Sequence, residues 1–411
     1  MTEEYKFDNS VELFKRAVEV IPGGIYGSKA PGFVIPGSYP YYFKKGKGCR
    51  LWDADGNEYI DYLCGYGSQI LGYGYDEVDN AAAEAMRAGD LLNGPQPEMV
   101  ELAETLTKQI DGMDWAVFAK NGTDTTSLAV SMARVHTGKK KIIMARGAYH
   151  GAANWCSTNV FPELDDRKDV LSFTYNNLEE LCSLFAKHRG EIAAIILTPY
   201  HHPAFGPQIM PAEGFYERVK NLTKAEGALF IMDDIRCNFR LSLAGSHSYF
   251  GVEPDLITMG KSIANGQPIS VLMGTDNLKS TAGSFFITGT FWMSGVPFTA
   301  SLITLKIMQE VNLIEHLNRI GGMLKNGIRS AAADAGFKAE ITGAAAIPFL
   351  TFENDPDLYI NQVFCSEMTK RGIYLHPHHN WFISYAHKDE DIEKTLETAR
   401  EAFKLTAAKL G

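Results

Sequence analysis

The sequence has no Cys-x-x-Cys pair, no dense basic run, no internal repeat and no low-complexity segment. It also has no uninterrupted apolar stretch near the roughly 20 residues that span a bilayer. Each absence removes a class of protein. The six cysteines, Cys49, Cys64, Cys156, Cys182, Cys237 and Cys365, are scattered over 411 residues. Such scatter predicts reduced and mostly buried thiols in a cytoplasm. A formal net charge of −10 without basic clusters argues against nucleic acid and against an anionic membrane surface as partners. The amino end, Met-Thr-Glu-Glu-Tyr-Lys-Phe-Asp, lacks the basic and then apolar order of a signal peptide. What remains is ordinary globular composition, 45% hydrophobic and 21% charged, in a chain long enough for two or three domains.

Periodicity supplies the architecture. Val11, Phe14, Ala17, Val18 and Ile21 recur at helical spacing until Pro22-Gly23-Gly24 stops them. Tyr41 to Tyr62 reads as two or three short strands, with Asp53-Ala54-Asp55-Gly56-Asn57 as a hairpin turn between Cys49–Trp52 and Glu58–Tyr62. From about residue 76, amphipathic helices (Val100–Ile110, Thr125–His136) alternate with short apolar strands (Lys141–Met144, Ile192–Leu197, Ala228–Met232, Leu256–Thr258). That alternation predicts an α/β fold with a mainly parallel sheet. The last seventy or so residues mix expected strands, Ile347–Phe352 and Trp381–Tyr385, with a closing helix, Asp389–Leu405. The expected organisation is an N-terminal segment, 1–75, contributing to a small domain, a large domain over 76–320, and a C-terminal part of the small domain over 321–411.

Chemistry concentrates at a few points. Lys261 follows the apolar run Leu256-Ile257-Thr258-Met259 in a turn of small residues, and Asp233 ends the strand Ala228–Met232. A lysine amine that forms a Schiff base, with a carboxylate that keeps a pyridine nitrogen protonated, is what pyridoxal phosphate requires. A surface lysine and a helix-capping carboxylate are the plain alternatives, and strand alternation turns Asp234 to the other face. Asn121-Gly122-Thr123-Asp124 follows a strand-like segment and opens a helix, which suits either a phosphate or a simple N-cap. Tyr149, before His150-Gly151, either stacks on a planar cofactor or is a core aromatic. Thr288-Gly289-Thr290-Phe291 offers a hydroxyl to a phosphate, or is a turn. His376-Pro377-His378-His379 lacks the acidic or cysteine companions of a metal site and reads as substrate contact or surface.

Together these segments resemble the class III aminotransferases of fold type I, in the branch of glutamate-1-semialdehyde aminomutase, over nearly the whole chain. Pro22-Gly23-Gly24, Leu51 through Tyr62, Tyr149-His150-Gly151, Phe239-Arg240-Leu241 and Gly251 through Leu256 carry the likeness, with Ser384-Tyr385-Ala386-His387. The resemblance implies pyridoxal 5'-phosphate as cofactor, Lys261 as its Schiff-base lysine and Asp233 as partner of its ring nitrogen. It implies Gly122 and Thr123, with Asn121, as the phosphate loop and Tyr149 as the stacking ring. It further implies a homodimer with shared sites, in which Thr290 reaches the partner's phosphate, and puts Tyr66 where the aminomutases have a pocket tryptophan. The departures are specific. Asn121 stands for the usual serine, Thr198-Pro199-Tyr200-His201-His202 replaces an acidic residue before proline, and Asp233-Asp234-Ile235 replaces Asp-Glu-Val. Ungapped, Ala30 occupies the position of the aminomutases' carboxylate-gripping arginine, beside Lys29. Losing such a charge-assisted clamp costs about 1.5–3 kcal/mol, roughly ten- to a hundredfold in affinity. The expected activity is therefore ping-pong transamination between a keto acid and an amine, an ω- or β-amino acid or derivative, or an amino sugar. Lys29, Arg236, Arg240, Tyr66 and His378 are candidate substrate contacts. An aminomutase or racemase shares every cofactor residue and is the alternative; a catalytically silent homologue is the reading outside enzymology.

Overall fold

A computed structural model describes residues 4–27, 33–157, 167–203 and 205–411. The chain divides into two compact units, one of Met1–Tyr75, Phe205–Pro207 and Glu315–Gly411, the other of Asp76–Ala204 and Gln208–Ile314. Among the described residues no helix is long and apolar enough to cross a membrane.

The first unit opens with the helix Asp8–Val20 and three short strands, β1 (Phe43–Lys47), β2 (Arg50–Asp53) and β3 (Glu58–Asp61). β2 and β3 pair antiparallel with Leu51 opposite Tyr59, which is the hairpin the turn chemistry predicts. Asp53 holds that turn from inside. One of its oxygens accepts the N–H groups of Asp55 and Asn57 at 2.9 Å each. The other accepts the Asn57 amide at 2.8 Å and the Tyr59 hydroxyl at 2.7 Å. The carboxylate is fully buried, so these four donors replace the water it has lost.

The second unit is built on a seven-stranded sheet: β4 (Trp115–Ala119), β5 (Lys141–Ala145), β6 (Val170–Phe173), β7 (Ile192–Leu197), β8 (Leu229–Asp233), β9 (Leu256–Met259) and β10 (Ser270–Gly274). Its order is β4-β10-β9-β8-β7-β5-β6, and β6 through β9 pair in parallel while β10 runs antiparallel to both its neighbours. Every residue of β7 and of β8 is buried, as expected of strands covered on both faces. Helices Gly122–Thr137, Leu178–Lys187 and Phe215–Glu226 lie in the chain between successive strands. This is the α/β fold read from the alternation. It brings the carboxyl ends of β5, β7 and β8 side by side, where ligands of open α/β sheets bind.

Back in the first unit, β11 (Ala339–Thr342) and β12 (Phe349–Phe352) form a hairpin, and β13 (Ile373–Tyr374) joins β3 in parallel. The closing helix runs Asp389–Leu410, with Asp391 accepting the Lys388 N–H at 2.9 Å at its start. Trp381–Tyr385, expected as a strand, is not one. Its N–H groups bond alternately to two different segments, Trp381 and Ile383 to Pro348 and Ala346, Phe382 and Tyr385 to Tyr62 and Ile70. The apolar residues are buried as a strand's would be, but no single partner forms a ladder.

Asp53→Ala strands the Tyr59 hydroxyl and the turn N–H groups in a buried place, at a cost of about 2–4 kcal/mol. Urea unfolding monitored by tryptophan fluorescence should move to distinctly lower denaturant; an unmoved midpoint would contradict the role given to this carboxylate.

Candidate active site

Asp233 ends β8 with its side chain buried, at 4% residue exposure. A carboxylate so placed needs donors, and three converge on it. His150 Nδ1 lies 2.7 Å from Oδ2, while the Ile235 N–H and the Thr258 hydroxyl reach Oδ1 at 3.2 and 3.3 Å. Thr258 is there because β9 pairs with β8 in the register that puts it beside Asp233. His150 is fully buried beyond the end of β5, and its carbonyl accepts the Thr126 hydroxyl at 2.7 Å. Asp234 faces elsewhere, as alternation predicts: it accepts the Ser246 N–H at 2.9 Å and hydroxyl at 2.6 Å. Burial pushes its carboxyl up to about 7, with the Asp233 charge adding to the rise and Ser246 and Arg240 opposing it.

Lys261 opens a short 3-10 turn, Lys261–Ala264, directly after β9. Its φ is +47°, a left-handed conformation that costs a non-glycine residue about 1–2 kcal/mol and persists only where the surroundings impose it. The surroundings do so through Ser262. Its hydroxyl bonds the Asn238 side-chain oxygen at 2.7 Å and the Asn238 carbonyl at 3.0 Å. The Asn238 amide in turn donates to the carbonyls of Asp234 at 2.8 Å and Ile235 at 2.7 Å. The lysine turn is thus clasped to the turn that follows Asp233. Burial drives the Lys261 amine down to about 7, the Arg236 charge lowers it further, and Asp233 pulls the other way.

The helix Gly122–Thr137 begins beside this pair. Asp124 accepts the Asn121 N–H at 2.9 Å, one half of a capping box, so Asn121 serves the cap. Gly122 and Thr123 N–H groups have no acceptor among the described residues. With the helix dipole behind them they form an anion cradle. Gly122 is required by close packing, since a Cβ there would lie 2.6 Å from Ile235 Cδ1. The Thr123 hydroxyl accepts the Ala152 N–H at 3.1 Å and keeps its own hydrogen to donate. Gly151, at φ +120°, lets the chain pass Thr123, where a Cβ would come within 2.5 Å of that hydroxyl.

Tyr149 is half exposed beside this group, its phenol shifted upward by burial, with Arg236 and Asp233 acting on it in opposite directions. Arg236 and the fully buried Arg240 both act on the Lys261 amine. Thr290 is exposed in the same unit, where the turn Gly289–Trp292 is closed by a 2.9 Å bond. Tyr66 and His378 belong to the first unit: Tyr66 meets His379 edge-on at 5.0 Å, and His378 meets Phe205 edge-on at 5.4 Å. Lys29 and Ala30 lie outside the described residues. Among the described residues no group of three or more His, Cys, Asp or Glu could hold a metal ion. Sequence reasoning quoted His150 only as part of a motif and missed its contact with Asp233, and it missed the Asn238–Ser262 clasp altogether. A serine directly after the lysine, and a threonine inside an otherwise apolar β9, were the available signals.

An amine depressed to about 7 is half neutral at neutral pH. Reductive methylation of Lys261 in cofactor-free protein, followed by peptide mapping, should therefore rise through pH 7 and level off by about pH 8.5. A rate that keeps climbing tenfold per unit toward pH 10 would show an ordinary lysine.

The family model for aminotransferase class-III matches residues 36–403. The aminopentol aminotransferase of Sphingopyxis macrogoltabida is 41% identical over 394 residues, 95% of this chain and 93% of that protein. The 3-aminobutyryl-CoA aminotransferase of Cloacimonas acidaminovorans (strain Evry) is 34% identical over 410 residues, 98% of each. The solved internal aldimine form, with pyridoxal phosphate, of the FumI protein of Sphingopyxis sp. MTA144 superposes with a TM-score of 0.96. It is 39% identical and covers 98% of this chain and 97% of its own. With the sheet order, the clasped lysine and the buried carboxylate, these likenesses have one meaning: the chain belongs to the class-III aminotransferase family.

Proposed function

We propose that this pyridoxal phosphate-dependent aminotransferase takes its amino group from an amine that lacks a free α-carboxylate. An amino alcohol or a β-amino acyl derivative fits best, with a keto acid as acceptor in a ping-pong exchange. One observation carries the catalytic reading: a lysine amine lowered to about 7 is clasped, through Ser262 and Asn238, to the turn after a buried carboxylate. The amine-donor class rests on Ala30 at the clamp position of the sequence and on the substrates named for the two relatives, an aminopentol and 3-aminobutyryl-CoA.

The residues fit the cofactor. Gly122 and Thr123 N–H groups, unaccepted among the described residues, and the Thr123 hydroxyl match a phosphate. Asp233 matches a protonated ring nitrogen, Tyr149 a ring face, and Lys261 an aldehyde. When bound, pyridoxal phosphate supplies that aldehyde and a ring that accepts electrons from the substrate carbon. Lys261 would hold the cofactor through its amine, and its Nζ, when free, would take a proton from the substrate carbon and deliver it to a second carbon. A pKa near ambient pH suits both halves of that transfer. Asp233, fixed by three donors, keeps its charge aimed at one place. Arg236, Lys29, Tyr66 and His378 are proposed to contact the substrate.

We also place Thr290 against the phosphate of a second subunit. Phe286, Phe291 and Met293, 93%, 63% and 42% exposed, lie close to it in the chain and would be covered by that subunit. Six free cysteines, five of them buried, suit a reducing cytoplasm.

Amino alcohols and β-amino acyl thioesters, each paired with pyruvate or 2-oxoglutarate, test the reading. Alanine or glutamate should form in step with the ketone product. Isomerised substrate with no amino acid formed would replace transamination with an aminomutase reaction.

A further inference from the structure

The anion cradle at the start of the helix Gly122–Thr137 is held by a residue distant in the chain. Ser270, the first residue of β10, is fully buried, and its hydroxyl donates to the Asn121 carbonyl at 2.7 Å across 149 residues of sequence. Strand register brings the two together. β10 runs antiparallel between β4 and β9, and Ser270 pairs with Ala119 at the end of β4, from which the chain runs directly into Asn121. On the other side, a Cβ at Gly260 would lie 3.5 Å from Ser270 Cβ, so the serine also sits beside the residue that precedes Lys261. Among the five residues of β10 it alone carries a polar side chain.

The Asn121 carbonyl and the Gly122 N–H belong to one planar peptide group, so whatever fixes the carbonyl fixes the N–H. That carbonyl also accepts the N–H groups of Asp124 at 3.0 Å and Thr125 at 3.4 Å, from inside the helix. It has helix partners without Ser270, and the serine hydroxyl is an added donor. The preceding peptide is held as well, because Asp124 accepts the Asn121 N–H at 2.9 Å. The Gly122 N–H itself has no acceptor among the described residues. A hydrogen bond to a carbonyl draws charge through its amide and strengthens the N–H as a donor, by about 10–30% per bond. A buried hydroxyl needs an acceptor in any case, and that need alone is the purely structural account of Ser270.

We propose that Ser270 is a positioning residue for phosphate binding: through the Asn121 carbonyl it aims and polarises the Gly122 N–H that receives a cofactor phosphate oxygen. This rests on the reading of Gly122 and Thr123 as the phosphate cradle.

The test needs no turnover. Cofactor-free protein is titrated with three probes: pyridoxal phosphate, pyridoxal without the phosphate, and inorganic phosphate. Ser270→Ala removes the donor with little change of volume and leaves the carbonyl its helix partners. It should bind pyridoxal phosphate and inorganic phosphate about fivefold more weakly, the worth of one hydrogen bond, with pyridoxal binding unchanged. Ser270→Cys, a weaker donor of similar size, should fall between the two, and it carries the test should Ser270→Ala not fold. In protein labelled with 15N-glycine and saturated with phosphate, the Gly122 amide proton should move upfield in Ser270→Ala. Equal weakening of pyridoxal phosphate and pyridoxal, or no change with any probe, would reduce Ser270 to a satisfied buried hydroxyl and overturn the proposal. The cradle reading fails separately: wild-type protein that ignores inorganic phosphate and holds pyridoxal as tightly as pyridoxal phosphate would fault the cradle before any variant is compared.

Discussion

A carboxylate buried at the end of a strand is the constraint from which the site is built. Asp233 has lost nearly all its water, and an uncompensated charge there would cost several kcal/mol. The surrounding elements supply the compensation one by one: a histidine from the loop after β5, a threonine from β9, and a backbone N–H from its own turn. Those same elements carry the remaining chemistry. The β5 loop brings Tyr149 and Gly151, β9 runs into Lys261, and the turn after Asp233 brings Arg236 and the Asn238 clasp. Satisfying one buried charge therefore assembles the groups proposed to serve a pyridine ring, a phosphate and an aldehyde.

Lys261 shows how strain and burial cooperate. Its left-handed backbone and the loss of solvent around its amine both disfavour the folded state. The Ser262–Asn238 bonds, buried and short, offset that cost and hold the lysine turn against the turn that carries Asp233. The result is an amine near its neutral form at the pH where proton transfer in both directions is useful.

Much of this was legible in the sequence, for physical reasons. β7 and β8 are entirely apolar up to their last residues, so a parallel sheet and an aspartate at a strand's end could be read directly. The helix-opening Asn121–Asp124 segment obeys cap rules that hold locally. Trp381–Tyr385 failed because apolar patterning reports burial and says nothing about which segment accepts the N–H groups; here four acceptors are split between two sides. The His150–Asp233 contact is 83 residues apart in sequence and the Asn238–Ser262 clasp 24, and no local rule links either pair.

The proposed site needs few kinds of group: backbone donors for an anion, one amine and one carboxylate. The central claim is that Lys261 is that amine. Borohydride reduction of the pyridoxal phosphate-loaded protein, followed by peptide mass spectrometry, tests it most directly. The peptide containing Lys261 should gain the mass of one reduced pyridoxyl phosphate group. Label on any other lysine, or on none, would contradict the account.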